Sequence, residues 1–261
     1  RNVNNQSCFI AIKGEKFDGH NFISEAFKKG AKIIVVDDEK YTSNNHPIIK
    51  VGDTRITLSR IASNFFQNPS NGMKVVGITG TNGKTTVNQI IKTILDSLGY
   101  PCGSLGTLGF IINKDIINTG FTTPESVELQ GMLRLLKDSK INYAILEVSS
   151  HSLEQSRVND VDFDVAIFTN LTQDHLDFHK SMKNYFKAKS KLFLELDAKD
   201  YSVINIDDFL KSLSMKLTCF NKSESEFVRG LQLINMKVAS DIMYLRSAVE
   251  SSDSKLGFLP G

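Results

Sequence analysis

Residues 73–98 constrain the fold more than any other part of the sequence. Residues 74–79 form a short run rich in β-branched residues and bounded by glycine, a pattern typical of a buried parallel strand. In residues 84–98 apolar side chains recur every three or four positions, which predicts a helix with one face on a sheet, ended by Gly99. The positions predicted to face the sheet are Val87, Ile90, Ile91, Ile94, Leu95 and Leu98. A strand, a glycine-rich turn and a helix in this order predict a phosphate-binding loop.

The turn between this strand and helix carries residues suited to phosphate and magnesium. Its three glycines allow a tight turn whose N–H groups point inward, next to the positive N-terminal end of the helix. Lys84 is placed to reach terminal phosphates, and Thr85 offers a hydroxyl to a Mg²⁺ ion that bridges them. The spacing departs from the usual motif, because Ile78 stands where the first glycine belongs. A plain tight turn is the alternative, but three glycines followed by Lys-Thr favour the phosphate site.

The composition favours a small molecule as the partner. A formal net charge of +2 with 23% charged residues implies neither nucleic acid nor a membrane surface. No apolar run reaches the roughly 18 residues that span a bilayer. Cys8, Cys102 and Cys219 are far apart and lack metal-ligand spacing, which fits free thiols in a reducing cytosol rather than a catalytic cysteine. We therefore expect a cytoplasmic protein.

The polar segment 68–72, with a proline and a glycine, predicts a boundary between two α/β domains, residues 1–72 and 73–261. In the first, strands are predicted at 8–12, 32–36 and 47–51, and helices at 21–29 and after the N-cap Asp53.

A polar turn at residues 14–19 follows the first predicted strand. Glu15, Lys16 and Phe17 lie in it, at a place where ligands are often held. An ordinary surface turn explains the same residues and is favoured by the sequence alone.

The second domain alternates strand-like apolar runs with helical ones. Strands are predicted at 142–148, 164–169 and 201–206, and helices at 125–138 and 183–194. This alternation predicts an α/β fold, with a mostly parallel sheet and helices on both of its faces. Ligands of such sheets bind beyond the carboxyl ends of the strands, so polar residues directly after a strand are the candidate site residues.

Glu147 ends one of these apolar strands, where it would be a buried carboxylate without a partner unless a metal ion neutralised it. Thr85, Glu147 and His175 all follow predicted strands, so we expect them at one edge of the sheet. Two of them are candidate oxygen ligands for Mg²⁺ on ATP, and a second ion could use the histidine. A hydrogen-bonded loop histidine is the alternative for His175. His151 fits a nucleotide pocket and a helix-start hydrogen bond equally well.

Longer motifs resemble those of the Mur ligases, ATP-dependent enzymes that form amide bonds in peptidoglycan precursor synthesis. The loop G-T-N-G-K-T-T at 80–86 is shared by that whole family. The motifs T-T-P-E-S at 122–126, E-V-S-S-H-S-L-E-Q-S-R-V at 147–158 and T-N-L-T-Q-D-H-L-D-F-H at 169–179 resemble the branch that adds the third residue of the stem peptide. Residues 1–20 resemble the UDP-binding N-terminal domain of that branch.

The resemblance implies roles for individual residues. ATP is expected to contact Gly80, Thr81, Asn82, Gly83, Lys84, Thr85, Thr86 and Asn170. UDP-N-acetylmuramoyl-dipeptide is expected to contact Glu15, Lys16, Phe17, Thr122, Thr123, Ser149, Gln155 and Arg157, with Arg157 offering a fork to phosphate or carboxylate.

Lys189 falls on the lysine that is carbamylated in these ligases, so the resemblance implies a carbamate oxygen beside His175 at a second Mg²⁺ ion. The catalytic residues are then Lys84, His175 and Lys189. Without the resemblance, Lys189 would be interpreted as a solvated lysine on a basic helix face.

The reaction implied by the resemblance is acyl activation. The side-chain carboxylate of the substrate's D-glutamate attacks the γ-phosphate of ATP, and an amino group then displaces phosphate from the acyl phosphate to form the amide. The protein positions the substrates and stabilises charge, and no side-chain nucleophile is needed. A monomer is expected. The incoming amino acid is expected to be meso-2,6-diaminopimelate, with L-lysine as the alternative.

The resemblance also implies missing segments at both ends. Arg1 resembles an arginine near the start of the N-terminal domain, and residues 259–261 resemble the turn that closes the central domain. A C-terminal Rossmann-like domain that selects the amino acid is therefore expected to be absent, and the chain alone is predicted to be inactive. Residues 223–256 are less similar to the family and are interpreted only loosely as strands.

Two other functions fit parts of the sequence. A folylpolyglutamate synthase-like ligase would share the loop architecture, but residues 147–158 and the N-terminal motif argue against it. A nucleotide-binding paralogue without catalysis is disfavoured for the whole protein by Lys84, Glu147, His175 and Lys189.

Overall fold

A computed structural model describes residues 3–14, 17–42, 47–194, 196–197 and 200–205. Glu15, Lys16, Cys219, the end of the strand predicted at 201–206 and the segments 223–256 and 259–261 fall wholly or partly outside these residues. The described residues form a three-stranded sheet and a seven-stranded sheet, each with helices packed on it. Among them, no helix has the length and apolar character needed to cross a membrane.

The first sheet is parallel and small. Its strands are β1 (Cys8–Ile10), β2 (Ile33–Val36) and β3 (Ile48–Lys50), in the order β1-β2-β3, with helices α1 (Ile23–Lys28) and α2 (Thr54–Phe65). All five elements were predicted, although the helix expected at 21–29 begins with a 3₁₀ turn, Gly19–Phe22. Asp53 is the N-cap of α2, as predicted, because its side chain accepts hydrogen bonds from the N–H groups of Arg55 and Ile56.

The second sheet is mostly parallel, which confirms the predicted fold class. Its strands are β4 (Lys74–Thr79), β5 (Cys102–Gly106), β6 (Gly109–Ile112), β7 (Asp115–Ile117), β8 (Tyr143–Glu147), β9 (Val165–Phe168) and β10 (Tyr201–Ile204), in the order β10-β9-β4-β8-β5-β6-β7. Its helices are α3 (Lys84–Ser97), α4 (Ser126–Asp138), α5 (Ser150–Glu154), α6 (Leu176–His179) and α7 (Met182–Leu194). Strand β6 pairs with β5 and with β7, in both cases antiparallel. The sequence pattern does not predict β5, β6, β7, α5 or α6.

Helices cover both faces of this sheet. In β8, Ala144 and Leu146 point into the core that α4 and α7 help to form, and Ile145 points to the opposite face, against α3. The alternation follows from the pleat of a strand, in which successive side chains face opposite sides.

Helix α3 buries a narrower apolar face than the sequence predicts. Val87, Ile91 and Leu95 lie in one row and pack against the sheet. The predictions for Ile90, Ile94 and Leu98 are wrong, because these side chains are 52%, 51% and 65% exposed. The adjacent positions Asn88 and Lys92 complete the buried side of α3 by donating to backbone oxygens of β5, so the row of Ile90, Ile94 and Leu98 turns away from the sheet.

Helix α2, which follows the first sheet, packs beside α4 of the second. Asp160 bonds to both helices. Its carboxylate pairs with the guanidinium of Arg60, and its backbone N–H donates to Ser59 Oγ at 3.2 Å. Gln130 Nε2 of α4 donates to the backbone oxygen of Asp160 at 3.1 Å. This set of bonds fixes α2 against the second sheet.

Gly103 in strand β5 leaves room for a side chain of α4 that packs against it. A Cβ added at Gly103 would lie 2.4 Å from both terminal carbons of Leu136, a buried residue of α4. We expect Gly103→Ala to lower the free energy of unfolding by about 1–3 kcal/mol, since inserting a methyl group into a filled core forces side chains aside. Urea unfolding followed by circular dichroism measures this change.

Gly52→Ala is the matched control, because a Cβ at Gly52 meets no atom within 4 Å. It should stay within about 0.5 kcal/mol of the original chain. Equal midpoints for the two variants would contradict the packing explanation.

Candidate functional site

The predicted phosphate loop joins β4 to α3. Gly80 has φ +147, and a Cβ there would lie 1.9 Å from Thr169 Oγ1, so only glycine fits. Gly83 is the N-cap of α3 and has a left-handed conformation with φ +83. The N-terminal end of a fourteen-residue helix therefore faces the loop, as an anion site requires.

The residues after β9 hold this loop in place. The side chain of Asn170 makes two hydrogen bonds to the backbone of Asn82. Asn82 N donates to Asn170 Oδ1 at 2.9 Å, and Asn170 Nδ2 donates to Asn82 O at 3.0 Å. Thr169 Oγ1 donates to Asn82 O at 2.6 Å, and Thr81 N donates to Asn170 O at 3.0 Å. Asn170, predicted to contact the nucleotide, thus shapes the loop through these bonds.

Two lysines meet at one carbonyl of the loop. Lys84 Nζ donates to Gly80 O at 3.0 Å and to Thr81 O at 2.9 Å. Lys189 Nζ, from α7, donates to the same Gly80 O at 2.7 Å and lies 4.5 Å from the ring centre of Tyr185. The interpretation of Lys189 as a solvated lysine, drawn without the resemblance, is wrong, because the residue is only 2% exposed.

Burial changes the proton affinity of both amines. Burial lowers the pKa of Lys84, while Glu147 and Asp174 raise it. Burial, together with the charge of Lys84, lowers the pKa of Lys189 to about 7. A large fraction of Lys189 is therefore an uncharged, nucleophilic amine near neutral pH.

Glu147 ends β8 and is only 1% exposed. Its Oε2 accepts from Thr85 Oγ1 at 2.9 Å and from Thr107 Oγ1 at 3.2 Å, and its Oε1 accepts from Thr107 N at 3.2 Å. The expectation of a carboxylate without a protein partner is thus wrong. The sequence pattern did not indicate Thr107 as a site residue, because Thr107 lies between β5 and β6 and neither strand was predicted.

The structure joins Thr85 to Glu147 by a hydrogen bond, whereas the contacts of His175 are with other residues. His175 begins α6 with φ +51, and its Nε2 lies 3.4 Å from Asp174 Oδ2. Within the described residues, no hydrogen bond or ion pair links His175 to Thr85 or Glu147. In the same part of the chain, no three His, Cys, Asp or Glu side chains group together as a metal-binding set. The metal role of His175 therefore stays a prediction.

His175 instead belongs to a cluster of rings. The ring of His151 lies 4.8 Å from that of His175 and 4.2 Å from that of Phe178, measured between centroids. His179, which the sequence analysis did not single out, is buried, and its Nε2 lies 2.9 Å from Ser150 Oγ. Burial lowers the pKa of His179 to about 4, so this histidine is neutral at neutral pH.

Several residues predicted to bind substrate are held by the protein itself. Arg157 Nη1 donates to Thr123 O at 2.9 Å, and its Nη2 lies 2.6 Å from Gln155 Oε1 and 2.9 Å from Glu125 Oε1. Protein acceptors thus hold both terminal nitrogens of the guanidinium, while its buried Nε has no hydrogen-bond partner among the described residues. Buried Thr123 donates its hydroxyl proton to Glu147 O at 2.8 Å and accepts from Ser149 N at 3.1 Å.

Two clefts that share lining residues lie where the first part of the chain meets the residues around α4, α5 and α6. One, of about 790 Å³, is polar and is lined by Gly14, Phe17, Arg55, Glu125, His151, Gln155, Arg157, Asp177, Phe178 and Lys180. The other, of about 560 Å³, is lined mainly by apolar residues of the first sheet and shares Phe17, Arg55 and Glu125 with the first. Each has a volume in the range of small-molecule sites.

The remaining predicted residues lie near these features. Thr122 Oγ1 is 3.3 Å from Thr107 Oγ1, and Ser149 is the N-cap of α5. Thr86 is exposed on the first turn of α3. Thr81 Oγ1 lies 3.2 Å from the Tyr185 hydroxyl, which connects the loop to α7.

Comparison with known proteins gives two family matches. Residues 78–243 match the Mur ligase middle domain, and residues 1–66 match the Mur ligase family catalytic domain.

Three similar proteins carry one name, UDP-N-acetylmuramoyl-L-alanyl-D-glutamate–2,6-diaminopimelate ligase. The one from Clostridium perfringens is 46% identical over 208 residues, and the one from Geobacter sulfurreducens is 45% identical over 214. Each alignment covers 80% of this chain and 42% of the relative, so the chain spans about two fifths of their length. A solved structure of a ligase with this name has a TM-score of 0.67 and 29% identity, over 84% of this chain and 44% of that one.

The buried amine of Lys189 should make stability depend on pH. The pKa of Lys189 is about 7 in the folded chain, below its ordinary value of 10.5, so between these values the unfolded chain binds a proton that the folded chain does not. The free energy of unfolding should therefore rise with pH over this window, by at most about 1.4 kcal/mol per pH unit from this residue. Lys189→Met should remove that rise in urea unfolding from pH 7 to 9.5 in bicarbonate-free buffer.

Lys187→Met, on an exposed position of the same helix, serves as the control and should keep the rise. If the curves of Lys189→Met and the original chain run parallel, Lys189 does not titrate as its burial implies.

Proposed function

The chain belongs to the Mur ligase family, and we propose that it is part of an ATP-dependent ligase of peptidoglycan precursor synthesis. The ligase adds meso-2,6-diaminopimelate, as the third amino acid, to UDP-N-acetylmuramoyl-L-Ala-D-Glu. The names of relatives about 45% identical support this choice of substrates. The observation that carries the proposal is the contact of the phosphate loop with the buried Glu147, through Thr85 Oγ1 at 2.9 Å.

The proposal divides the chain into two domains. Residues 1–72 bind the UDP-sugar part of the substrate, and residues 73–261 bind ATP. The two clefts beside α2 lie between these parts and have lining residues from both, including Phe17 and Arg157. A third domain, which selects the diamino acid, belongs to the full-length protein.

The residues at the end of β8 fit a Mg²⁺ ion. Thr85 has one hydroxyl proton, which it donates to Glu147, so both lone pairs of Thr85 Oγ1 are available to a cation. Carboxylate and hydroxyl oxygens are the ligands that Mg²⁺ prefers. Thr85 and Glu147 would hold the ion, which would neutralise phosphate charge when bound. His175 and a carbamate on Lys189 would hold a second one.

The chain's own residues then act by position and charge. The loop N–H groups and the end of α3 hold the ATP phosphates, with Gly80 to Thr86 and Asn170 around them. Lys84 moves its donors from the loop carbonyls to phosphate oxygens, where it stabilises charge as the D-glutamate carboxylate attacks the γ-phosphate. The amino group of the diamino acid then displaces phosphate from the acyl phosphate, which forms the amide.

Lys189 is suited to carbamylation. Carbon dioxide reacts with an uncharged amine, and burial brings the pKa of Lys189 to about 7, so this form is abundant. The product is an anionic oxygen donor beside the loop, because Lys189 Nζ lies 2.7 Å from Gly80 O. The catalytic set of the proposal is Lys84, His175 and Lys189.

The proposed protein acts in the cytoplasm as a monomer, without a nucleic-acid or membrane partner. The low net charge and the free thiols of Cys8 and Cys102 support this setting.

The function is tested with the full-length protein, given ATP, Mg²⁺ and UDP-N-acetylmuramoyl-L-Ala-D-Glu. With meso-2,6-diaminopimelate we expect phosphate release and a tripeptide product detected by mass spectrometry, and with L-lysine much less. Residues 1–261 alone should bind nucleotide without forming the amide, because misplacing substrates by about 1 Å can lower a rate a hundred-fold. A preference for L-lysine, or product with neither amino acid, would contradict the proposal.

Lys84→Ala tests where the nucleotide binds. Loss of a charge-assisted contact to phosphate is worth about 1.5–3 kcal/mol, so ATP affinity in calorimetry should fall about ten-fold or more. Lys92→Ala on the same helix is the control, because Lys92 bonds to Asp96 and Cys102 O, away from the loop.

Carbamylation of Lys189 is a separate prediction. Mass spectrometry or ¹³C NMR with labelled bicarbonate should detect a carbamate that Lys189→Ala lacks. The full-length Lys189→Ala variant should lose activity and regain part of it with a short carboxylic acid, because a carbamate is a carboxylate on a stem. Full activity of Lys189→Ala without any addition would show that the carbamate has no role.

A further inference from the structure

Four oxygen-bearing side chains form a continuous line across the site. Thr85 Oγ1 is 2.9 Å from Glu147 Oε2, Glu147 Oε2 is 3.2 Å from Thr107 Oγ1, and Thr107 Oγ1 is 3.3 Å from Thr122 Oγ1. The line starts at the phosphate loop and ends at a residue predicted to contact the other substrate. Thr107 is the link between the two halves, and neither the motifs nor the family resemblance assigned it a role.

The direction of each hydrogen bond follows from the donors available. A carboxylate only accepts, so Thr85 and Thr107 each donate their single hydroxyl proton to Glu147. Thr107 then has no proton left for Thr122, and the contact between them requires Thr122 to donate to Thr107. Thr122 is left with lone pairs only, so it can accept a hydrogen bond from a ligand but cannot donate one.

The main chain between β5 and β6 brings both the N–H and the hydroxyl of Thr107 to Glu147. Its N–H donates to Glu147 Oε1 at 3.2 Å while its hydroxyl reaches Oε2, so one residue holds both carboxylate oxygens. A Cβ on the preceding residue, Gly106, would lie 2.0 Å from Glu147 Oε1. The glycine lets the turn between β5 and β6 approach the carboxylate this closely.

We propose that Thr107 is a positioning residue that aims Glu147 at Thr85 and makes Thr122 an acceptor for an N–H or O–H group of the sugar-dipeptide substrate. This inference rests on the proposed function. It predicts that one hydroxyl serves both ligands, the Mg²⁺·nucleotide through Glu147 and the sugar-dipeptide through Thr122. A merely structural Thr107 would affect stability alone.

The test is Thr107→Val in the full-length protein, which removes the hydroxyl and keeps the branched shape. Calorimetry measures ADP affinity with Mg²⁺ and with EDTA, and the affinity for UDP-N-acetylmuramoyl-L-Ala-D-Glu. We expect the Mg²⁺-dependent gain in ADP affinity to fall about ten-fold, which is the size of one hydrogen bond to a charged group. The sugar-dipeptide affinity should fall by about two- to ten-fold, which is the size of one hydrogen bond between neutral groups. ADP affinity in EDTA should not change.

Three further variants separate the hydroxyl from packing. Thr107→Ser should restore both affinities, and Thr107→Ala should reproduce the effect of valine. Thr93→Val is the matched control, since the exposed Thr93 hydroxyl donates only to Gln89 O within α3.

The outcomes distinguish this inference from the proposed function. If the original protein binds neither Mg²⁺·ADP nor the sugar-dipeptide, the proposed function fails. If it binds both and Thr107→Val matches it in both, the role of Thr107 is overturned. Loss of folding by circular dichroism in both Thr107→Val and Thr107→Ala would overturn it as well, because the hydroxyl would then serve the fold.

Discussion

The burial of two ionisable side chains beside the phosphate loop is the constraint on which the rest of the site depends. Glu147 and Lys189 are 1% and 2% exposed, and an ionisable group so buried is costly unless hydrogen bonds compensate it. The partners come from distant parts of the chain, with Gly80 O accepting from Lys189 and Thr85 and Thr107 donating to Glu147. The parallel order β9-β4-β8-β5 brings these segments to one edge of the sheet.

The sequence predicts best where the signal is local. The bounds of β4 agree with the prediction at both ends, and α3 agrees to within one residue, because periodicity and glycine mark them within a few positions. Strand β5 was missed because Gly103 and Gly106 reflect the close approach of Leu136 and Glu147, which lie far away in sequence. The burial of Lys189 has the same origin, and only the family resemblance pointed to this residue.

The substrate side of the site was predicted less completely, because its side chains act through one another. The family resemblance implies that Arg157 and Thr123 contact the ligand, yet several of their polar atoms bond to protein groups that include Gln155 and Ser149. Such bonds fix side chains before a ligand arrives, and preorganised dipoles lose little free energy to reorganisation during a reaction. A motif thus selects residues for a ligand site, but it does not tell which of their polar atoms are already bonded within the protein.

The two lysines at Gly80 O give the site a way to change its charge without changing its fold. Lys84 and Lys189 donate to one carbonyl, and the charge of Lys84 is one cause of the lowered pKa of Lys189. Because Gly80 O has two donors, Lys84 can turn to a phosphate while the carbonyl stays bonded. A carbamate on Lys189 would convert this like-charge pair into an attractive one, which would hold Lys84 in its charged form. The feature that makes the buried lysine reactive would then also prepare its neighbour to bind phosphate.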